Sequence, residues 1–241
     1  MSIKEFTLEI NLFNDPDFVT FVDVCVFYAI KSNVKDLKLN FFSLDRSYNW
    51  HDLFGIVLSA KTLHVLKLRG CKLELPRNTV KLLSLKKLNL SHVYIDDHII
   101  ENLVVDCPLI EYLKFDSCVG FKRLKLSNLS RLSEMKIKNN HRLEQVDIKA
   151  LNVLSLTVFE CDKWWLHVPL QINIAFCKNL NRLSLSHVSI TDEWFGGQIS
   201  QLPMLNYLFI FDCNELKSIE ISSKSKVIVA LQLLEACCTQ D

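Results

Sequence analysis

Glycine is scarce in this chain, 5 of 241 residues, and proline equally so. Phosphate-cradling loops have little to be built from, and neither GxGxxG nor GxxxxGK[ST] occurs. HExxH and GxSxG are missing as well, which removes the zinc-protease helix and the nucleophile elbow. The nine cysteines are odd in number and scattered, with no CxxC pair. An excess of charge is also lacking: 28 Lys and Arg face 27 Asp and Glu, a formal +1, so no global field draws the chain to nucleic acid or membrane. Long apolar runs are absent. The most apolar stretch, 18–30 (FVTFVDVCVFYAI), contains Asp23 and falls short of the roughly 20 residues that cross a bilayer. It is expected to form a buried helix. MSIKEFTLEI has charges at Lys4 and Glu5 and no small-residue cleavage site, so no secretory signal is read there. Reduced thiols in a cytoplasmic or nuclear protein account for the cysteines. Cys161 and His167 lack a second ligand pair and read as structural. No catalytic residue, no metal and no cofactor are expected.

What the sequence has is apolar residues, 49% of the chain, in a recurring frame. LHVLKLRGC at Leu63 is followed by LKKLNLSHV at Leu85, IEYLKFDSC at Ile110, LSEMKIKNN at Leu132 and LNVLSLTVF at Leu151. LNRLSLSHV at Leu180 and LNYLFIFDC at Leu205 continue it, and VKDLKLNFF at Val34 precedes it. The second apolar positions lie 29, 22, 25, 22, 19, 29 and 25 residues apart. Leucine-rich repeats recur at roughly 20–29 residues. Residues 85–127 also align with 180–222 without a gap, 14 of 43 identical at an offset of 95, which marks two copies of a larger unit.

Leu-x-Leu sends two side chains to one face of a strand and their neighbours to the other. The expected inward pairs run from Leu37/Leu39 to Leu208/Ile210 and include Leu154/Leu156. Asp96 or Asp97 is expected to cap a helix bearing Ile100, Leu103, Val104 and Cys107 that stops before Pro108. Asn14 or Asp15 before Pro16 opens another over 17–31. Half-period pairs at Leu124/Leu126, Val146/Ile148 and Ile219/Ile221 predict extended returns. The fold class is therefore α/β. The chain reads as a leucine-rich-repeat solenoid over 1–222, a curved right-handed stack of about nine parallel strands with irregular helical or extended returns. Residues 223–241 leave the frame and are expected as a C-terminal helix or cap. Cys71, Cys118 and Cys213 follow strands directly, where a small donor can turn inward to backbone carbonyls.

The outward central column is expected to run Lys38, Lys67, Asn89, Lys114, Lys136, Ser155, Ser184 and Phe209. With its flanking columns it holds eight basic and three acidic residues, a local +5. Lys38, Lys67, Arg69, Lys114 and Lys136 are candidates for binding an acidic or phosphorylated partner segment, against the plainer reading that lysines keep an open strand face soluble. Tyr207, Phe209 and Phe211 alternate on the outward side of one strand, the residues of a binding hot spot unless the tail after Ser222 folds over them. Trp164 and Trp165 are placed in a long loop.

Three stretches carry a family resemblance. IKEFTLEINLFNDPDFVTFVDVCVFYAIKSNVKDLKLNF, the AKTL of SAKTLHVLKLRGCKLELP, and DCPLIEYL resemble the repeat region of plant F-box/leucine-rich-repeat proteins of the FBD type, over roughly residues 1 to 222. That resemblance implies a region that recruits a protein substrate to a cullin-type ubiquitin ligase, whose adaptor is docked by an F-box. No Leu-Pro-x-x-Leu segment precedes residue 1, so the adaptor is expected as a partner only where an F-box is supplied by a longer protein. The expected function is a non-enzymatic protein-interaction module. Alternatives are a stand-alone repeat scaffold or truncated fragment without a ligase role, and a binder of an anionic ligand, either an inositol phosphate or nucleic acid. The acidic residues within the basic columns and the lack of a known module disfavour both of these anionic ligands. An extracellular repeat domain is set aside for want of a signal and of glycine, despite sequons at Asn89 and Asn128.

Overall fold

The computed structural model describes residues 3–11, 16–42, 51–53, 57–73, 81–140, 142–160, 170–219 and 228–232. The chain opens on β1 (Glu5–Asn11) and returns through α1 (Pro16–Lys31) to β2 (Asp36–Phe42). Then come β3 (His51–Leu53), a short 3-10 turn (Val57–Ser59), β4 (Val65–Arg69), β5 (Cys71–Leu73), β6 (Lys87–Ser91) and α2 (Asp97–Asp106). Four strands alternate between two sheets: β7 (Tyr112–Asp116), β8 (Arg123–Ser127), β9 (Glu134–Lys138) and β10 (Gln145–Lys149). The described chain closes with β11 (Ser155–Phe159), β12 (Gln171–Asn173), β13 (Arg182–Ser186), α3 (Asp192–Ile199), β14 (Tyr207–Phe211) and β15 (Ile228–Gln232).

Ten of these strands form one parallel sheet in the order β1-β2-β4-β6-β7-β9-β11-β13-β14-β15. β8, β10 and β12 form a second parallel sheet, and β3 pairs with β5. The half-period pairs Leu124/Leu126 and Val146/Ile148 are thus strands of the second sheet, as their spacing predicts. Ile219 is not in a strand, and Ile221 lies outside the described residues.

Alternation along each strand drives the stacking. Leu66 and Leu68, Leu88 and Leu90, Met135 and Ile137, and Leu183 and Leu185 are buried while the residues between them face outward. A parallel strand cannot turn tightly into its neighbour, so each coil needs a return, here a helix, an extended run or a loop. Just before each strand the chain forms a ladder: His64 N–H donates to Lys35 O, Lys86 to His64, Glu111 to Lys86, Ser133 to Glu111 and Leu154 to Ser133. Asn181, Asn206 and Ile228 carry the same rungs onward.

That ladder corrects one register. The frame at 151 has its inward pair at Leu156/Val158, both buried, and Leu154 is 50% exposed as a rung residue. LNVLSLTVF contains two Leu-x-apolar frames two residues apart, and only lateral pairing with Met135/Ile137 and Leu183/Leu185 selects between them. Ser155 accordingly moves to a flanking column, Thr157 becomes central, and the steps of 19 and 29 become 21 and 27.

Strand ends are set by left-handed residues. Gly70, His92, Ser117, Asn139, His187 and Asp212 each follow a strand of the main sheet with positive φ. Gly70 is needed there because a Cβ would stand 2.1 Å from the Phe41 carbonyl oxygen. One residue later, Cys118 Sγ donates to Leu90 O at 3.4 Å and Cys213 Sγ to Phe211 O at 3.6 Å. Burial pushes the Cys118 thiol up to about 12, which suits a weak donor and not a nucleophile. The same place in the next coil belongs to Asn140, 1% exposed. Its Nδ2 donates to Phe115 O at 3.1 Å and Lys138 O at 2.9 Å, and its Oδ1 accepts from Cys118 N–H at 2.9 Å.

The returns hold two further corrections. Helix α1 spans the expected residues but is not buried all round: Val22, Val26 and Ala29 face the sheet, while Phe21, Val24, Phe27 and Tyr28 are exposed. A single layer of returns gives a helix only one side to pack on. Its expected caps, Asn14 and Asp15, lie outside the described residues, as do Cys161, Trp164, Trp165 and His167. In the tail, 228–232 is neither a helix nor outside the sheet, since β15 pairs in parallel with β14. The β-rich IVALQ segment finds unpaired backbone on that edge.

Asp96 caps α2 by accepting from Ile99 N–H at 2.8 Å. Asp97 instead reaches the next coil and accepts from Lys122 N–H and Arg123 N–H at 3.0 and 2.9 Å. At the offset of 95, Thr191 caps α3 while Asp192 accepts from Lys217 N–H and Ser218 N–H at 2.7 and 3.1 Å. The duplicated sequence is a duplicated tie between helix and following coil.

Candidate partner-binding face

Lateral pairing aligns the outward residues of the main sheet into three columns. The central one runs Thr7, Lys38, Lys67, Asn89, Lys114, Lys136, Thr157, Ser184, Phe209 and Ala230. On one side stand Asp36, Val65, Lys87, Tyr112, Glu134, Ser155, Arg182 and Tyr207, and on the other Asn40, Arg69, Ser91, Asp116, Lys138, Phe159, Ser186 and Phe211. β1 adds Glu5 and Glu9 to the flanks, so the face carries eight basic and five acidic residues and a net +3, below the +5 read without that strand.

Charge on this face is paired locally. Lys38 bonds to Glu5, Lys114 Nζ lies 2.8 Å from Asp116 Oδ2, and Lys136 Nζ lies 2.8 Å from Glu134 Oε1. The Lys38 hydrogen bond holds the Glu5 carboxyl below the usual carboxylate range. Lys136 also sits 5.7 Å above the Tyr112 ring, and Arg69 lies 5.6 Å over Phe42. Lys38, Lys67, Arg69 and Lys114 line a hollow of about 310 Å³ over Leu39 and Leu68, together with Glu9, Thr7, Asn40, Asn89 and Ser91. Lys136 stands one strand beyond it.

The far end differs. From β11 to β14 the only charged residue in the three columns is Arg182. Phe159 and Phe211 enclose the His187 ring edge-on at 5.4 and 5.0 Å, and Phe209 stacks on Phe211 with centroids 6.4 Å apart. His187 Nδ1 is 2.9 Å from Asp212 Oδ2. Tyr207 is 38% exposed, Phe209 and Phe211 are half-buried, and the small Ala230 is Phe209's neighbour on β15. The segment 228–232 extends the sheet beside these rings and does not fold over them. A rim groove of about 650 Å³ opens next to this zone, where Leu154 and Met204 are exposed beside Arg182.

The expected site residues therefore fall into two zones several strands apart: Lys38, Lys67, Arg69, Lys114 and Lys136 near β1–β9, and Tyr207, Phe209 and Phe211 on β14. Glu5, Glu9, Phe159 and His187 were not foreseen as part of the face. The EFTLEIN alternation was the available signal for the two glutamates, and the misplaced register hid Phe159. Among the described residues no group of three His, Cys, Asp or Glu could hold a metal ion.

Parallel coils, the rung ladder, inward Asn and Cys donors and a free strand face define a leucine-rich-repeat solenoid of the α/β class. Over residues 1–173 the chain matches the family model At1g61320/AtMIF1, LRR domain, and it belongs to that family. It is similar to F-box/LRR-repeat protein At3g03360 of Arabidopsis thaliana, 30% identical over 152 residues, 61% of this chain and 31% of that protein. Putative F-box/LRR-repeat protein At5g02930 of the same organism is 32% identical over 117 residues, 48% of this chain and 24% of that protein. F-box/LRR-repeat protein At5g02910, also from Arabidopsis thaliana, is 33% identical over 138 residues, 56% of this chain and 29% of that protein. The resemblance to plant F-box/LRR proteins is borne out. The chain spans less than a third of the length of these relatives. No helix among the described residues is long and apolar enough to cross a membrane.

Proposed function

We propose that this chain is the substrate-recognition repeat region of an F-box-type ubiquitin ligase receptor, holding a protein partner on the open strand face without catalysing a reaction. The observation that carries this reading is the aromatic zone of β14: an uncharged, partly exposed cluster on a sheet face that the neighbouring strand leaves open. Aromatic rings at such a place are the usual anchors of a protein interface, and a solenoid presents them without a closed pocket. The adaptor of the ligase would be engaged only through an F-box carried by a longer form of the protein. A cytoplasmic or nuclear setting fits the free thiols of Cys25, Cys71, Cys107, Cys118, Cys177 and Cys213.

The test joins the chain to an F-box, identifies a substrate by its ubiquitination in a reconstituted ligase, and repeats the reaction with Phe209→Ala. Truncating a hot-spot ring costs about 2 kcal/mol, roughly a 30-fold loss of substrate affinity, with the melting temperature little changed. Ubiquitination and affinity unaffected by Phe209→Ala would refute the placement of the interface. No substrate modified by the fused chain would refute the ligase role.

A further inference from the structure

The basic hollow at the other end of the face has a charge imbalance that the fold itself does not use. Lys38 and Lys67 are direct cross-strand neighbours, and like charges in that relation oppose folding. Lys38 is offset by Glu5 and Lys114 by Asp116. Among the described residues Lys67 and Arg69 have no carboxylate at ion-pair distance, although Lys67 acts on Glu5 from further off, and both are exposed on the same strand, two residues apart. Beside them the buried Oδ1 atoms of Asn40 and Asn89 lack hydrogen-bond partners. Against these two cations the wall holds one carboxylate with no ion pair among the described residues, Glu9, so the hollow keeps a positive surplus, with a guanidinium fork to grip a compact anion.

We infer that this hollow binds a single phosphate monoester, carried as phosphoserine or phosphothreonine on an extended segment of the partner. A phosphate monoester bears about 1.5 to 2 negative charges at neutral pH, which Lys67 and Arg69 on β4 can pair, with Glu9 two strands away on β1. A polyanion would need a longer run of uncompensated cations, and the next ones along the column, Lys114 and Lys136, are held by acids on their own strands. An extended segment is favoured over a free small phosphate because the hollow is open and continuous with the strand face. β4 and β14 are six strand spacings apart in the sheet, about 29 Å at roughly 4.8 Å per strand. That is about nine residues of extended chain at roughly 3.3 Å each. The segment should therefore carry an apolar anchor about nine residues from its phosphate. This spacing rests on the interaction reading above.

The test uses the whole chain immobilised against a library of 25-residue peptides with one fixed central phosphoserine and randomised flanks, and against its unphosphorylated twin. The phosphorylated library should be retained at least tenfold better, with aromatic or aliphatic residues enriched about nine positions from the phosphoserine. Lys67→Met and Arg69→Gln should each cut that retention at least fivefold, and Lys87→Met, on the same face but outside the hollow, less than twofold. Equal retention of the two libraries, or retention indifferent to Lys67→Met and Arg69→Gln, would overturn the inference. Inorganic phosphate or inositol hexakisphosphate competing at concentrations as low as a selected phosphopeptide would overturn the peptide assignment and make this a small-anion site. Without ligand, Lys67→Met should melt no lower than the native chain, and a clear fall would show that Lys67 is already balanced. Phe209→Ala keeps the two readings apart. If it abolishes peptide retention while phosphate adds nothing, the phosphate site falls and the interaction face stands; Lys67-dependent retention indifferent to Phe209→Ala does the reverse.

Discussion

Replacing Asn140 by alanine should destabilise the solenoid more than any substitution of the solvent-facing residues near it. Its side chain is fully buried and makes three hydrogen bonds, joining the turn after β9 to the Phe115 carbonyl and the Cys118 amide of the preceding coil. Alanine leaves Cys118 N–H without its acceptor, at a cost of about 1–3 kcal/mol for a buried donor. Two carbonyls each lose a bond worth about 1 kcal/mol. The total comes to about 3–5 kcal/mol, or roughly 10 °C in melting temperature for a chain of this size. Urea unfolding followed by tryptophan fluorescence measures it, compared at equal m-value. Asn140→Cys should recover part of the loss, because the thiols of Cys118 and Cys213 already donate to carbonyls at the equivalent turn. If alanine costs less than 1 kcal/mol, or leucine is tolerated as well as asparagine, the turn is not held by this side chain and the reasoning fails.

Glu160, which accepts the Asn140 N–H at 3.3 Å, should make stability pH-dependent. Burial lifts its carboxyl to about 7 from 4.5, so the folded chain binds a proton that the unfolded chain has lost. Its contribution to stability is fully present below pH 4.5 and disappears as pH rises through 7. Glu160→Gln should therefore raise stability at pH 8 by up to about 3 kcal/mol and flatten the profile between these values; equal slopes for the two proteins would contradict it. Asp192 behaves oppositely: the Ser218 and Lys217 amides hold its carboxyl below the usual range, so the tie is present at neutral pH and lost as pH falls through that lowered value. Asp192→Ala should speed amide hydrogen exchange at Lys217 and Ser218 with β13 unaffected, and unchanged exchange would mean the tie does not order that coil.

Local chemistry in the sequence determined the strands, because alternation of period two needs no knowledge of what lies alongside. The Leu-x-Leu frames, the Asp96 cap with its stripe of Ile100 and Leu103, and the inward-turning thiols of Cys118 and Cys213 were all legible in this way. So was the duplication at an offset of 95, although its purpose was not: Asp97 and Asp192 act on amides 25 and 26 residues away. Tertiary structure decided whatever depends on which strands are neighbours. It selected Leu156/Val158 over Leu154/Leu156, exposed one side of α1 for lack of a second layer, and turned 228–232 into a tenth strand by offering it an unpaired edge. It also set the charge of the face, since Glu5 and Lys38, 33 residues apart in sequence, meet only when β1 pairs with β2. Side-chain direction is fixed by the residue's own backbone, whereas register, partnership and electrostatic balance are properties of the stacked coils.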